Sequence, residues 1–178
     1  MARPRLTGVL LVGGTSTRFG SPKALARLDG ETLAERGWRL LGEACDERLA
    51  VGKRADDLEL PFGLVDDGTE TRAALAGIVA GLRVASNELV AVIPVDMPFV
   101  TAELLHELAE ASRDAAAPRG APLPAVFRRS ALALLERRFA AGELALHAAL
   151  RELGASEVTT EPALLVNVNT ADELRSLG

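Results

Sequence analysis

Cysteine and aromatic residues are nearly missing from this chain: Cys45 is the one thiol, and rings make up 3% of 178 residues. A lone thiol excludes a disulfide within the chain and a thiolate zinc site. With so few rings, the 48% apolar content must build its core from Leu, Val and Ala. Long apolar runs are missing as well. None reaches the roughly 20 residues that a membrane-spanning helix needs, and the short run after Arg3 and Arg5 carries no small-residue cleavage site of a secretory signal. A cytoplasmic protein with no membrane partner is the expectation. A positive excess is missing too. The net charge is −5, which argues against a nucleic-acid partner, since such proteins carry a basic face. A single nucleotide stays compatible, because one loop can be locally positive on an acidic protein. Lysine is scarce: of twenty basic residues only Lys23 and Lys53 are lysine, so a lysine inside a motif is not ordinary surface. Length points to one domain over residues 1–178.

What is present is concentrated in Leu11-Val12-Gly13-Gly14-Thr15-Ser16-Thr17-Arg18-Phe19-Gly20-Ser21-Pro22-Lys23. An apolar run, 6–12, feeds a glycine-containing loop that carries two fixed cations, Arg18 and Lys23. Glycines let backbone approach a ligand closely, and N–H groups in such a loop can converge on one anion. A planar guanidinium fork beside a compact ammonium suits a polyphosphate. Two commoner phosphate templates do not fit. Gly20 is followed by Ser21 and Pro22 rather than by the G-K-[ST] of a P-loop, and Gly13 and Gly14 are adjacent rather than spaced as in G-x-G-x-x-G. Kinase, GTPase and dehydrogenase readings lose weight accordingly.

Strand-like and helix-like periodicities alternate along the chain. Strands are predicted at 6–12, Leu49–Val51, Gly63–Val65, Leu89–Ile93, Ala115–Ala117, Leu123–Phe127 and Leu164–Val168. Helices are predicted at Glu31–Ala44 (with Cys45 as a small core residue), Thr71–Ala85, Thr101–Ser112, Ser130–Ala140, Glu143–Leu153 and from Thr170 onward. Thr101 and Thr170 are natural N-caps, each followed by acids in the first turn. The stretch Ala115–Pro124, rich in Ala, Pro and Gly, reads as a loop or a local strand insertion. Such alternation implies a mostly parallel sheet with helices on both faces.

Open sheets of this kind bind ligands beyond the carboxyl ends of their strands, and the remaining polar residues sort to those ends. Lys23 follows the first strand, Asp66 and Asp67 the third, Asp96 the strand that ends at Pro94, and Asn167 and Asn169 the last apolar run. Asp96 lies between Pro94 and Pro98, which restrict the backbone around it. A carboxylate facing a polyphosphate calls for a cation between them, so Mg2+ is implied; it commonly takes one or two carboxylates plus phosphate oxygens. Asp66 and Asp67 could be turn residues, a second metal ligand, or a contact to base or sugar. Asparagine both donates and accepts, as recognition of a heterocycle requires. His106 and His147 lie in predicted helices with no partner motif and read as ordinary helix residues, and no nucleophile–base pair for acyl transfer is visible. The set fits phosphoryl or nucleotidyl transfer by positioning and charge neutralisation.

The first segment resembles the signature L-A-G-G-x-S-x-R-[MF]-G-x-x-K of nucleotidyltransferases with a Rossmann-like fold. Val95-Asp96-Met97-Pro98-Phe99 is similar to the C-D-M-P-[FL] segment of the molybdenum cofactor guanylyltransferases, and Val168-Asn169-Thr170-Ala171-Asp172-Glu173-Leu174 resembles their closing N-x-N-T-P-E-D-L. The resemblance runs nearly the whole chain. It implies a three-layer Rossmann-like α/β fold with a mostly parallel sheet, GTP bound through Leu11, Val12, Gly13 and Gly14 with its phosphates near Arg18 and Lys23, and Asp67 near the nucleotide. It further implies Mg2+ on Asp96, a molybdopterin-type substrate near Asn167 and Asn169, and Arg18, Lys23 and Asp96 as the catalytic set. Transient contact with molybdoenzymes or other cofactor-biosynthesis proteins would follow. The chain departs from the pattern at Ala73-Ala74-Leu75-Ala76-Gly77, where G-P-L-A-G is usual, at Val12 in place of alanine, and at Ala171 in place of proline; Glu70 rivals Asp67 for the acidic position. Asp96-Met97-Pro98 also differs from the G-D-Q-P of cytidylyl relatives. A different nucleotide such as CTP, another phosphorylated acceptor, and a nucleotide-binding module without catalysis are the alternatives.

Overall fold

The computed structural model describes residues 4–13 and 22–176, and the statements below concern those residues. The chain opens with β1 (Leu6–Leu11), buried at every position. A 3-10 turn at Lys23–Leu25 leads to a small antiparallel hairpin of β2 (Arg27–Leu28) and β3 (Glu31–Thr32). Then follow α1 (Leu33–Ala44), β4 (Glu47–Gly52), β5 (Leu64–Asp66), α2 (Ala74–Val84) and β6 (Leu89–Pro94). The second half holds α3 (Ala102–Ala111), β7 (Ala115–Pro118), β8 (Ala125–Arg128), α4 (Leu132–Ala140), α5 (Leu146–Glu152), β9 (Ser156–Val158) and α6 (Ala171–Arg175).

The main sheet has seven strands in the order β5-β4-β1-β6-β8-β7-β9. Strands β5, β4, β1 and β6 run parallel to one another. β8 is antiparallel to both β6 and β7, and β9 lies parallel to β7 at the edge. The sheet is therefore mostly parallel with one reversed strand. Leu6 and Leu10 point into one core layer with Leu41 of α1 and Leu104, Leu105 and Leu108 of α3. Val9 and Leu11 point into the other with Leu75, Ile78 and Leu82 of α2, Leu135 of α4 and Leu150 of α5. This is the three-layer Rossmann-like arrangement. Phe127 is the one aromatic among the buried described residues, so the core is in practice Leu, Val, Ile and Ala.

Several predicted boundaries need correction. The helix predicted from Glu31 begins at Leu33. Glu31 belongs to the hairpin, whose turn is Asp29-Gly30, both with positive φ (53° and 84°). That Asp-Gly pair is a strong short-range hairpin signal. Thr32 then caps α1 in a reciprocal box with Glu35. Cys45 is the C-cap of α1, half-buried against the core. The predicted strand at Leu164–Val168 is absent: Pro162 opens a 3-10 turn, Pro162–Leu165, and the asparagine segment has no sheet partner. The strand that does close this edge, β9, was missed because it is three residues long and half-exposed, with no apolar run to mark it. The helices predicted at Thr71–Ala85, Ser130–Ala140 and Glu143–Leu153 are shortened to α2, α4 and α5. Ala115–Pro124 is a strand insertion: β7, then a turn back into antiparallel β8. Thr101 and Thr170 cap α3 and α6 as predicted, and His106 Nε2 lies 3.0 Å from the Ala44 carbonyl, tying α3 to the end of α1.

Helices reach the sheet closely because glycines face it. A Cβ on Gly81 of α2 would lie 2.8 Å from Cγ2 and 3.0 Å from Cγ1 of Val9, and Val9 is fully buried on the central strand. A β-branched side chain has little rotamer freedom with which to yield. Gly81→Ala would gain about 1 kcal/mol of helix propensity against an overpacking cost of about 1–3 kcal/mol. The expected net result is a melting temperature lowered by a few degrees, read by calorimetry or circular dichroism. A raised melting temperature would show that α2 is not limited by this contact.

Candidate active site

Strand order reverses at β1: the chain passes from β1 to β4 and β5 on one side, then returns as β6 on the other. A crevice beyond the carboxyl ends is expected at such a point, and a cavity of about 320 Å³ lies there. Its floor is Leu11, Val12 and Gly13, just past β1. Backbone bonds continue beyond the strand on both sides, Val12 N–H to the Val51 carbonyl and Val95 N–H to the Leu11 carbonyl, each 3.0 Å. The ends of β1, β4 and β6 thus form one rigid rim.

One pole of the crevice is built from three distant segments. Lys23 Nζ donates to Asp96 Oδ2 and to Asn169 Oδ1, each at 3.1 Å. Lys23 stands on the 3-10 turn after the glycine loop, and Asp96 follows the end of β6. The flanking Val95 and Met97 are buried, which anchors the backbone that presents the carboxylate. Asn169 is brought in because Val168, fully buried, donates its N–H to the Asp96 carbonyl at 2.9 Å. Thr170 then caps α6 and the Asn169 N–H is held by Glu173 at 2.6 Å.

The opposite pole is Lys53 and Asp67, past the ends of β4 and β5. Lys53 Nζ donates to Asp67 Oδ1 at 3.0 Å, to Asp67 Oδ2 at 2.9 Å, and to the Thr69 carbonyl. The side chains are 9% and 7% exposed. Removing one partner of a pair so buried costs about 3–5 kcal/mol, so the two residues are structurally interdependent. Around them, the backbone N–H groups of Arg54 and Gly68 donate to Asp66 and hold its carboxyl below the ordinary value. Arg72 makes a two-pronged bridge to Asp56, at 2.6 and 3.2 Å, which raises the Arg72 pKa above its ordinary value.

Between the poles the wall is apolar and small: Val51 and Gly52 on one side, Ala73, Ala74 and Gly77 on the other. Two departures from the resembled pattern find their physical setting here. Val12 is bulkier than alanine, but its Cγ2 lies 2.9 Å from where Gly52 would carry a Cβ, so the glycine accommodates the branch. Ala73 is extended, with φ −145°, and needs no glycine. Ala74 is the first residue of α2, where proline is merely one suitable choice.

Of the residues singled out in the sequence, Leu11, Val12, Gly13, Lys23, Asp67 and Asp96 line this one cavity, and Asn169 joins it through Lys23. Asn167 is exposed and not part of the lining, so of the two asparagines Asn169 is the one brought to Lys23. Glu70 is exposed and off the lining, which favours Asp67 as the acid of this pole. Gly14 and Arg18 lie outside the described residues. Lys53 and Arg72 were missed. The signal for Lys53 was available, since it is one of two lysines in the chain. Among the described residues no cluster of three or more His, Cys, Asp or Glu could cage a metal. The Asp96 carboxylate and the Asn169 amide oxygen instead flank a single ammonium group. Such an oxygen pair suits a hard cation that draws its other ligands from phosphate and water. No described helix is long and apolar enough to cross a membrane.

Comparison with known proteins identifies the family and the fold. The family profile of the MobA-like NTP transferase domain matches residues 8–159. A protein of Chloroflexus aggregans named as a probable molybdenum cofactor guanylyltransferase is 37% identical, over 96% of this chain and 92% of that one. A molybdenum cofactor guanylyltransferase of Desulfosudis oleivorans is 30% identical, over 95% and 92%. Among solved structures, molybdopterin-guanine dinucleotide biosynthesis protein A from Archaeoglobus fulgidus superposes with a TM-score of 0.82 at 27% identity, covering 96% of each chain. The 2-C-methyl-D-erythritol 4-phosphate cytidylyltransferase of Thermus thermophilus shares the fold, with a TM-score of 0.71 at 22% identity. A switch-point crevice with a cation at its mouth, found on a chain matched over most of its length, leads to one conclusion: the protein belongs to the MobA-like NTP transferase domain family and is a nucleotidyltransferase.

Proposed function

We propose that the protein transfers GMP from GTP to molybdenum-bound molybdopterin, giving the guanine dinucleotide form of the cofactor and pyrophosphate. The observation that carries this reading is the meeting of Lys23, Asp96 and Asn169 within 3.1 Å contacts at the mouth of the crevice. The names of the relatives supply the guanylyl group and the acceptor. In the reaction an oxygen of the acceptor's terminal phosphate forms a bond to the α-phosphorus of GTP, and the bond from that phosphorus to the β-bridging oxygen breaks. Pyrophosphate carries off the electron pair.

The chain's own residues supply position and charge. Leu11, Val12 and Gly13 form the surface on which the nucleoside lies, with Asp67 beside it. Lys23, joined by Arg18 and Gly14 of the preceding loop, meets the triphosphate. As charge builds on the leaving pyrophosphate, a fixed ammonium stabilises it with little reorganisation. Asp96, with Asn169 beside it, would hold Mg2+, which when bound supplies neutralisation of the phosphate oxygens. Asn169, and from the exposed segment beside it Asn167, would contact the pterin.

Asp96→Asn keeps the size and shape of the side chain and removes its charge. It should lower turnover about a hundredfold or more, as loss of one preorganised electrostatic group does, while the fold is retained by circular dichroism. Near-normal pyrophosphate release by this variant would remove Asp96 from the mechanism.

Lys23→Ala should weaken binding of GTP about tenfold to a hundredfold, the scale of a lost charge-assisted bond, and leave guanosine binding nearly unchanged. Calorimetric titration reads both, and equal losses for the two ligands would refute the phosphate assignment. Pyrophosphate release with molybdopterin across a panel of GTP, CTP and ATP tests the choice of nucleotide; a preference for CTP or ATP would replace the guanylyl reading.

A further inference from the structure

Lys53 lines the nucleotide crevice, and a lysine there would ordinarily be assigned to phosphate. The hydrogen bonds say otherwise. An ammonium has three donors, and here they go to Asp67 Oδ1, Asp67 Oδ2 and the Thr69 carbonyl. All three face protein. Asp67 Oδ1 also accepts the Thr69 N–H at 3.2 Å. Among the described residues, three of the carboxylate's four acceptor positions are therefore occupied, and one on Oδ2 is left.

We propose that Lys53 is a positioning residue that sets nucleoside affinity through Asp67, without touching the ligand itself. The inference rests on the nucleotidyl-transfer reading and goes beyond it in assigning which end of the nucleotide Lys53 serves. By gripping both oxygens, Lys53 fixes the carboxylate's orientation, so that its last acceptor position is offered to an N–H or O–H of the nucleoside at one place. By bonding the Thr69 carbonyl, it also anchors the turn that carries Asp67. Asp66 and the Arg72–Asp56 bridge fasten the same two chain segments from outside, so loss of Lys53 frees the carboxylate before it frees the loop. The phosphate pole, built on Lys23 and Asp96, belongs to other segments and is not disturbed.

The test measures GTP and inorganic tripolyphosphate binding by calorimetry for the wild type, K53M, D67N and K53M/D67N, together with steady-state KM and kcat for GTP. K53M should raise the Kd and KM for GTP about tenfold, the scale of losing a fixed charge-assisted acceptor, with kcat and tripolyphosphate affinity within about twofold. Because Lys53 acts through Asp67, the effects should not add: the double variant should bind GTP about as D67N does. Should K53M or D67N fail to fold, K53M/D67N, in which no charge is left unpaired, carries the test against wild type: its GTP affinity should fall about tenfold with tripolyphosphate affinity within about twofold, and equal losses for the two ligands would overturn the proposal. Unchanged GTP binding in K53M, equal losses for GTP and tripolyphosphate, or a double variant that multiplies the two single losses would each overturn the proposal. A wild-type protein that binds no nucleoside triphosphate would remove the transfer reading and this inference together; wild-type binding with insensitive variants removes this inference alone.

Discussion

A single ammonium group held between a carboxylate and an amide oxygen organises this molecule's chemistry. Asp96 and Asn169 lie 73 and 146 residues from Lys23 in the chain, and the three meet because three backbone segments end at one rim. The carboxylate is presented by a buried strand end, the amide by a segment hung from the Asp96 carbonyl, the cation by the turn after the glycine loop. A cation is thus already favoured at the point where a polyphosphate and its counterion would enter. Preorganisation of this sort places the cost of assembling like and unlike charges in folding rather than in the reaction.

The crevice exists because the sheet is packed closely on both faces. β1 is buried throughout and bonded on both sides, so its end cannot shift. Gly77 and Gly81 let α2 lie against Leu11 and Val9, since a Cβ at either would come within 2.8 Å of the strand's side chains. The same closeness keeps the apolar wall small, with Ala73, Ala74 and Gly77 lining the crevice. Val12 and Gly52 show the packing logic at its most local, one side gaining a branch where the other has no side chain. The branch that Val12 adds relative to the family pattern is thus accommodated by its neighbour.

The two poles differ in kind. Lys23 and Asp96 are 18% and 24% exposed, accessible to a ligand. Lys53 and Asp67 are nearly closed off, their bonds directed at each other and at the turn. In the first pair both members face the crevice; in the second the lysine spends its donors on holding its partner's carboxylate in place. Chemically identical pairs of lysine and aspartate thus serve different ends, and burial and the count of satisfied donors decide which.

Much of this was legible in the residues. Continuous apolar runs marked the buried parallel strands, threonines followed by acids marked two helix starts, and Lys23 and the Pro-flanked Asp96 marked one pole of the crevice. These signals are local, set by side-chain spacing and by backbone chemistry within a few residues. Less visible were the Asp29-Gly30 hairpin, overridden by a helical period that began too early, and β9, too short and half-exposed to carry a pattern. The sequence by itself determined the alternation of elements and the chemical character of the loop that leads to Lys23. Only the tertiary structure decided that Asn169 rather than Asn167 reaches Lys23, that Lys53 spends its donors on Asp67, and that β8 runs against its neighbours. Those outcomes depend on which strand ends abut and which polar atoms are left without water, and neither is encoded in the spacing of residues along the chain.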